Sequence, residues 1–180
     1  MTGDEKRIIG AARAGDREAC ADLVRANYRA IYSFLAYLSG STSLADDLTQ
    51  ETFTTAWEGL RRFRGDASFR TWLHRIAYGK FVDASRRARR EAAAIDAATA
   101  SNQPSAATGP GVAVAHEQAQ VVREALTCLG EAERSAIVMH YFQGMSLSET
   151  ALTLGEPVGT VKWRTNQALK KLKARLNGKV

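Results

Sequence analysis

The chain has 180 residues, 45% of them hydrophobic and 24% charged, with a formal net charge of +6. That balance excludes wholesale disorder and supplies apolar side chains for a core. Cys20 and Cys128 stand outside any Cys-x-x-Cys or Cys/His cluster and give no sign of a disulfide framework or a zinc site.

No apolar run approaches the roughly 20 residues that span a bilayer. Met1 to Arg13 lacks the apolar stretch of a signal peptide. No membrane insertion and a cytoplasmic location are therefore expected. The net charge is −3 over residues 1–60, +8 over 61–90, −3 over 91–130 and +4 over 131–180. Each basic block suits a phosphate backbone, and each also fits an ordinary solvated helix face.

Asp16 is the predicted cap of a long first helix, in which Ala19, Leu23, Ile31, Phe34 and Leu38 recur at helical spacing up to Gly40. Ser43 followed by Asp46 reads as a variant capping box that opens a second helix, with Leu44, Leu48, Phe53, Ala56, Trp57 and Leu60 apolar. Asp46, Asp47, Gln50, Glu51, Thr54 and Glu58 make its opposite face acidic and polar. In a basic protein such a face suits docking of a protein, or it is simply solvated.

After a short FRGDAS loop, Ser68 is the predicted cap of a third helix, Phe69 to about Arg90, with Phe69, Trp72, Leu73 and Ile76 packing inward. Gly79 inside it costs about 1 kcal/mol relative to alanine. Residues 61–90 mix ten basic side chains with aromatic rings. That mixture suits single-stranded DNA, because bases stack on rings while cations follow the backbone. Phe69 and Trp72 are expected in the core, Tyr78 and Phe81 toward DNA.

Residues 92–115 hold Pro104 and Pro110 beside Gly109 and Gly111, a flexible-linker composition. It divides the chain into 1–91 and 116–180. Both parts are rich in helical periodicity, so the fold class is all-α: an N-terminal helical bundle and a C-terminal four-helix domain with a helix-turn-helix. The linker permits the two to lie apart or packed together. In the second part helices are expected at about 116–128, 131–142, 146–154 and 158–176, separated by Gly130, Gly144 and the Gly155-Glu156-Pro157 turn.

The last two helices form the helix-turn-helix pattern of a major-groove reader. Val161, Thr165, Ala168 and Leu172 should face the domain, leaving Trp163, Asn166, Gln167 and Lys170 opposite, flanked by Thr160, Lys162 and Arg164. Arg, Asn and Gln there suit base edges, whereas Lys170, Lys171 and Lys173 suit phosphates. Trp163 admits three roles: contact with a thymine methyl or sugar, contact with a protein, or packing on the neighbouring helix.

His74, His116 and His140 fall in separate predicted helices, without a nucleophile or carboxylate set at motif spacing and without a Gly-rich phosphate loop. No enzyme, metal or cofactor is therefore expected. A conventional helix-turn-helix regulator is the main rival, but it leaves the acidic face and the aromatic, basic third helix without a task.

The run DDLTQETFTTAWEGLRRFRGDASFRTWLHRIAYGKFVDASRRARR, from Asp46 to Arg90, resembles the second conserved region of bacterial sigma factors of the extracytoplasmic-function group. The run from Leu126 to Leu176, which contains GEPVGTVKWRTNQALKKLKARL, resembles their fourth region. The resemblance implies that Asp46, Asp47, Gln50, Glu51 and Phe53 dock on the clamp coiled coil of core RNA polymerase. It implies that Phe63, Arg64, Gly65, Asp66 and Ser68, with Arg75, Tyr78, Lys80 and Arg86, recognise and open the minus-ten element of promoter DNA.

Thr160, Lys162, Trp163, Arg164, Asn166, Gln167 and Lys170 would read the minus-thirty-five duplex, and the linker would thread near the RNA exit path. Control by an anti-sigma factor is also implied, and no third region or N-terminal inhibitory region is expected. Gly79 replaces a polar residue common in the family, and Trp163, Thr165, Gln167 and Leu169 replace its more usual Ser, Leu, Arg and Arg. The promoter sequence therefore cannot be copied from relatives.

Overall fold

A computed structural model describes residues 3–98 and 122–177, and all their regular structure is helical. The chain begins with α1 (Gly3–Arg13), which the sequence reading did not anticipate; it packs on the next helix through Ile9 and Ala12. Acidic Asp4 and Glu5 in its first turn and Arg13 in its last suit the helix dipole.

Asp16 caps α2 (Arg17–Ser39) as expected, its carboxylate accepting from the amides of Glu18 at 2.9 Å and Ala19 at 3.2 Å. Gly40, at φ 70°, closes the helix. In α3 (Thr42–Gly59) the cap is Ser41, not Ser43: Ser41 alone has extended backbone, and its hydroxyl accepts from the Leu44 amide at 3.3 Å. Thr49 and Thr52 sit in the core because each hydroxyl donates to the carbonyl four residues back, at 2.6 Å.

A 3-10 turn (Leu60–Arg62) and a loop lead into α4 (Phe69–Ala98). Ser68 accepts from the Thr71 amide at 3.0 Å, as a cap should. The helix runs past its expected end near Arg90 and into the segment expected to be linker, since the alanines at 92–94 and 97–98 are the strongest helix formers. The remaining linker residues lie outside the described residues, as do 116–121 of the next expected helix.

The second unit comprises a helical stretch over 122–126, α5 (Glu131–Ile137) continued by a π-helical turn (Val138–Phe142), α6 (Leu147–Leu154) and α7 (Val158–Asn177). Glu149 and Ser146 form a reciprocal capping box on α6, and Gly155, at φ 68°, makes the turn to α7.

The two units are packed together. Leu126, Leu129, Ile137, Val138, Met139 and Met145 join the apolar cluster that includes Phe34, Leu35 and Leu73. The half-buried Arg134 guanidinium donates to the Leu126 and Leu129 carbonyls at 3.2 Å each and, across the junction, to the Leu38 carbonyl at 3.0 Å.

Candidate nucleic-acid interface

The acidic face of α3 is open: Asp46, Asp47, Gln50, Glu51, Thr54 and Glu58 are all exposed. Phe53 does not join them. It is 7% exposed, with its ring centroid 6.2 Å from that of Tyr28 and 6.4 Å from that of Trp57, because it lies four residues after Thr49 and three before Ala56, on the buried stripe of the helix. Asp47, Gln50, Glu51 and Glu58 line a shallow concavity of about 590 Å³ together with Lys80 and Arg87 of α4. The Lys80 ammonium lies 3.5 Å from the Glu51 carboxylate.

Helix α4 divides into faces. Phe69, Leu73, Ala77, Phe81 and Ala84 are buried at spacings of four and three, which corrects the expectation that Phe81, 7% exposed, projects toward DNA. Arg75, Gly79 and Arg86 form an open face. Lys80 and Arg87 turn toward α3, so Lys80 stands apart from Arg75, with which the sequence reading grouped it.

A further stripe meets the second unit. The Arg70 guanidinium donates to the Gln143 carbonyl, Thr71 to Glu149 at 3.0 Å, and Ser85 to Glu131 at 3.0 Å; Arg89 pairs with the same Glu131. Tyr78, expected to face DNA, is half-buried against Ser135, and burial pushes its phenol up from the ordinary value. His74 is fully buried, its Nδ1 2.8 Å from the Arg70 carbonyl oxygen and its Nε2 3.4 Å from the Gln143 side chain. Desolvation holds this imidazole below its ordinary value, against the hydrogen bond it donates to the Arg70 carbonyl, which raises it.

The loop before α4 is built around Phe63, which is buried with its ring 5.7 Å from Phe69 and 5.0 Å from Trp72. Phe63 therefore anchors the loop rather than presenting a ring to solvent. Trp72 is held in turn against Gly59, where an added Cβ would stand 3.3 Å from the indole. Gly65, at φ 82°, occupies the left-handed region that glycine adopts without strain. Arg64 and Asp66 are exposed and 3.7 Å apart. Arg62, Arg64, Asp66, Trp72 and Arg75 surround a cavity of about 310 Å³, whose wall is completed by Leu152 of α6.

On α7, Val161, Thr165 and Ala168 are buried and Leu172 is partly buried, as the period predicted. Lys162, Asn166 and Lys170 are exposed, and Trp163 is 60% exposed, which disposes of packing on the neighbouring helix as its role. Thr160 and Gln167 are half-buried. Arg164, with 18% of its side chain exposed, is bound to Glu156 of the turn at 2.6 Å, so it braces the helix pair. Sequence reasoning missed Arg62, Arg87 and Leu152. For Arg87 the signal was present, two helical turns beyond Lys80 on the same face.

Residues 23–91 match the model of sigma-70 region 2, and residues 125–174 that of sigma-70 region 4. The ECF RNA polymerase sigma factor SigM of Mycobacterium tuberculosis is 34% identical over 179 residues, covering 97% of this chain and 85% of that protein. The solved structure of CnrH in complex with the cytosolic domain of CnrY is similar at a TM-score of 0.75 and 28% identity, over 98% of this chain and 99% of that one. The sigma factor RpoE of Bartonella quintana, solved with the anti-sigma factor NepR, matches at a TM-score of 0.75 and 25% identity, over 87% and 96%.

Proposed function

This chain belongs to the sigma-70 family, as an extracytoplasmic-function sigma factor, and from that premise we propose how its surfaces divide the work. Sigma factors of this family are transcription initiation factors, not enzymes: they bind core RNA polymerase and direct it to promoter DNA. In our reading the open acidic face of α3, around Asp46, Asp47, Gln50 and Glu51, docks on the polymerase clamp coiled coil. The 63–68 loop and the open face of α4, with Arg75 and Arg86, take the melted minus-ten strand. Lys162, Trp163, Asn166 and Lys170 of α7 read the minus-thirty-five duplex.

The observation that carries this reading is the segregation of charge on two packed helices. An exposed row of carboxylates on α3 repels phosphate, so it suits a protein; the arginines on α4 and around the loop attract phosphate. The loop cavity supplies the pocket an extruded base needs, since leaving the stack costs a few kcal/mol that pocket contacts must offset. RpoE was solved with an anti-sigma factor, and we extend that form of control to this chain. We place its action in the cytoplasm, where polymerase works.

The test is transcription by purified core polymerase with this protein on a promoter library that core alone ignores. Reversing Asp46, Asp47 and Glu51 to lysine should leave the circular dichroism unchanged and abolish initiation by weakening association at least about tenfold. Tight solo binding to a palindromic duplex, without association with core, would favour a conventional helix-turn-helix regulator instead.

A further inference from the structure

Trp163, the sixth residue of α7, is 60% exposed. Single exposed apolar side chains are ordinary on a protein surface, but the place of this one is not. On a helix of about 3.6 residues per turn it lies about 170° round from the mean direction of the buried Val161, Thr165 and Ala168, at the middle of the outward face. Asn166 and Lys170 stand beside it one and two turns further on, with Lys162 on its flank, and all three are exposed. Gly159, one turn before it, adds no side chain, and nothing stands within 4 Å of a Cβ built there, so the indole is left uncovered on that side.

The surroundings say what the indole meets. The 20 residues of α7 include no carboxylate, and the exposed lysines give the surface around Trp163 a single sign of charge, which suits a polyanion. Arginine is the residue that most often reads guanine, but Arg164 is withdrawn from that task, its guanidinium held by both carboxylate oxygens of Glu156. An indole is thus left where side chains near the start of a recognition helix meet base edges. The apolar group that a base edge presents in the major groove is the 5-methyl of thymine, next to an O4 acceptor that an indole N–H can satisfy.

We propose that Trp163 is the specificity-determining residue of α7 and recognises thymine in the minus-thirty-five duplex by its 5-methyl group. The proposal rests on the assignment of α7 to that duplex. Lys162 and Lys170 attract phosphate whatever the sequence, and the indole discriminates. Taking one methyl out of an apolar contact weakens binding about fourfold.

The experiment uses polymerase holoenzyme carrying the full chain. Selection from a duplex promoter library randomised through the minus-thirty-five region should enrich a thymine at a fixed position. The enriched duplex is then made with deoxyuridine there, which keeps the pairing and the O4 acceptor and lacks only the methyl. Binding of both duplexes is measured by fluorescence anisotropy with the parent, Trp163→Ala and Lys170→Ala chains. The parent should bind the deoxyuridine duplex about fourfold more weakly. Trp163→Ala, an exchange at an exposed site that spares the core, should bind the thymine duplex about tenfold more weakly and no longer distinguish the two. Lys170→Ala should weaken both alike, keep the methyl effect and flatten the salt dependence.

A selection without thymine, or a parent indifferent to deoxyuridine while Lys170→Ala weakens binding, overturns methyl recognition and leaves α7 on the duplex. A methyl effect that persists in Trp163→Ala belongs to another residue and overturns the proposal as well. Loss of association with core polymerase, rather than with DNA, on Trp163→Ala overturns it in favour of a protein contact. Binding that responds to neither Trp163→Ala nor Lys170→Ala removes α7 from the duplex, and the proposal falls with that assignment.

Discussion

The two helical units bury their apolar surface by different means. The first is made of long helices, α2, α3 and α4, whose Ile31, Phe34, Leu35, Leu38, Leu48, Phe69 and Leu73 form a dense core of large side chains. The second, apart from the long α7, is made of short pieces interrupted by a π-helical turn, and the cluster it keeps to itself has only Ala136, Ala151 and Val161 at its centre. Its larger apolar side chains, from Leu126 to Met145, are spent against the first unit. A small unit buries too little surface to be robust alone, and this one borrows from its neighbour. The same borrowing places α6 beside the 63–68 loop and α4.

The largest expected break in that comparison is Arg134→Ala. It removes the side-chain donor from the Leu129 and Leu38 carbonyls, while the Leu126 carbonyl keeps the Leu129 amide, and leaving a buried acceptor unpaired costs about 1–3 kcal/mol. Hydrogen exchange should accelerate in α5, α6 and α7 well before it does in α2 and α3.

A smaller effect comes from His74. Its folded pKa lies below the ordinary 6.5 because burial disfavours the charged ring, with Arg70 adding repulsion and the Arg70 carbonyl, Gln143 and Glu149 opposing. The unfolded chain therefore binds the extra proton more readily, so the packed state is fully stable above about pH 6.5 and loses stability as pH falls below it. Urea midpoints at pH 7.5 and 5.5 should differ in that direction, and His74→Phe should reduce the difference.

The smallest change confines itself to the first unit. Gly79 lies on the open face of α4 with nothing within 4 Å of an added Cβ. Gly79→Ala should therefore raise stability by about 1 kcal/mol without altering exchange in the second unit.

Most of the architecture was legible in the sequence because its signals were local. Asp16, Gly40, Ser68 and the Gly155 turn sit where caps and breaks were expected, and the period of α7 put Val161, Thr165 and Ala168 inside. What escaped depends on contacts between distant residues or on choices among neighbours. Ser41 and Ser43 are equally good caps by type, and only the turn at Gly40 decides between them. Phe53 stands among the apolar positions of its helix and took a docking role, as Phe63 took a DNA role, only from the family resemblance, whereas Phe81 continues the four-residue spacing of Phe69, Leu73 and Ala77 that marks the buried face. Arg164 looked like a base reader until the turn brought Glu156 to it. Leu152 belongs to the cavity wall only because the units pack together.

The division of labour between α3 and α4 is the central claim, and site-specific photo-crosslinking in the promoter complex tests it directly. A benzophenone side chain replaces Asp47 in one protein and Arg86 in another, each assembled with core polymerase and promoter DNA. The account predicts that the probe at position 47 labels a polymerase subunit and the probe at position 86 labels the DNA strand. Labelling of DNA from position 47, or of polymerase alone from position 86, would contradict it.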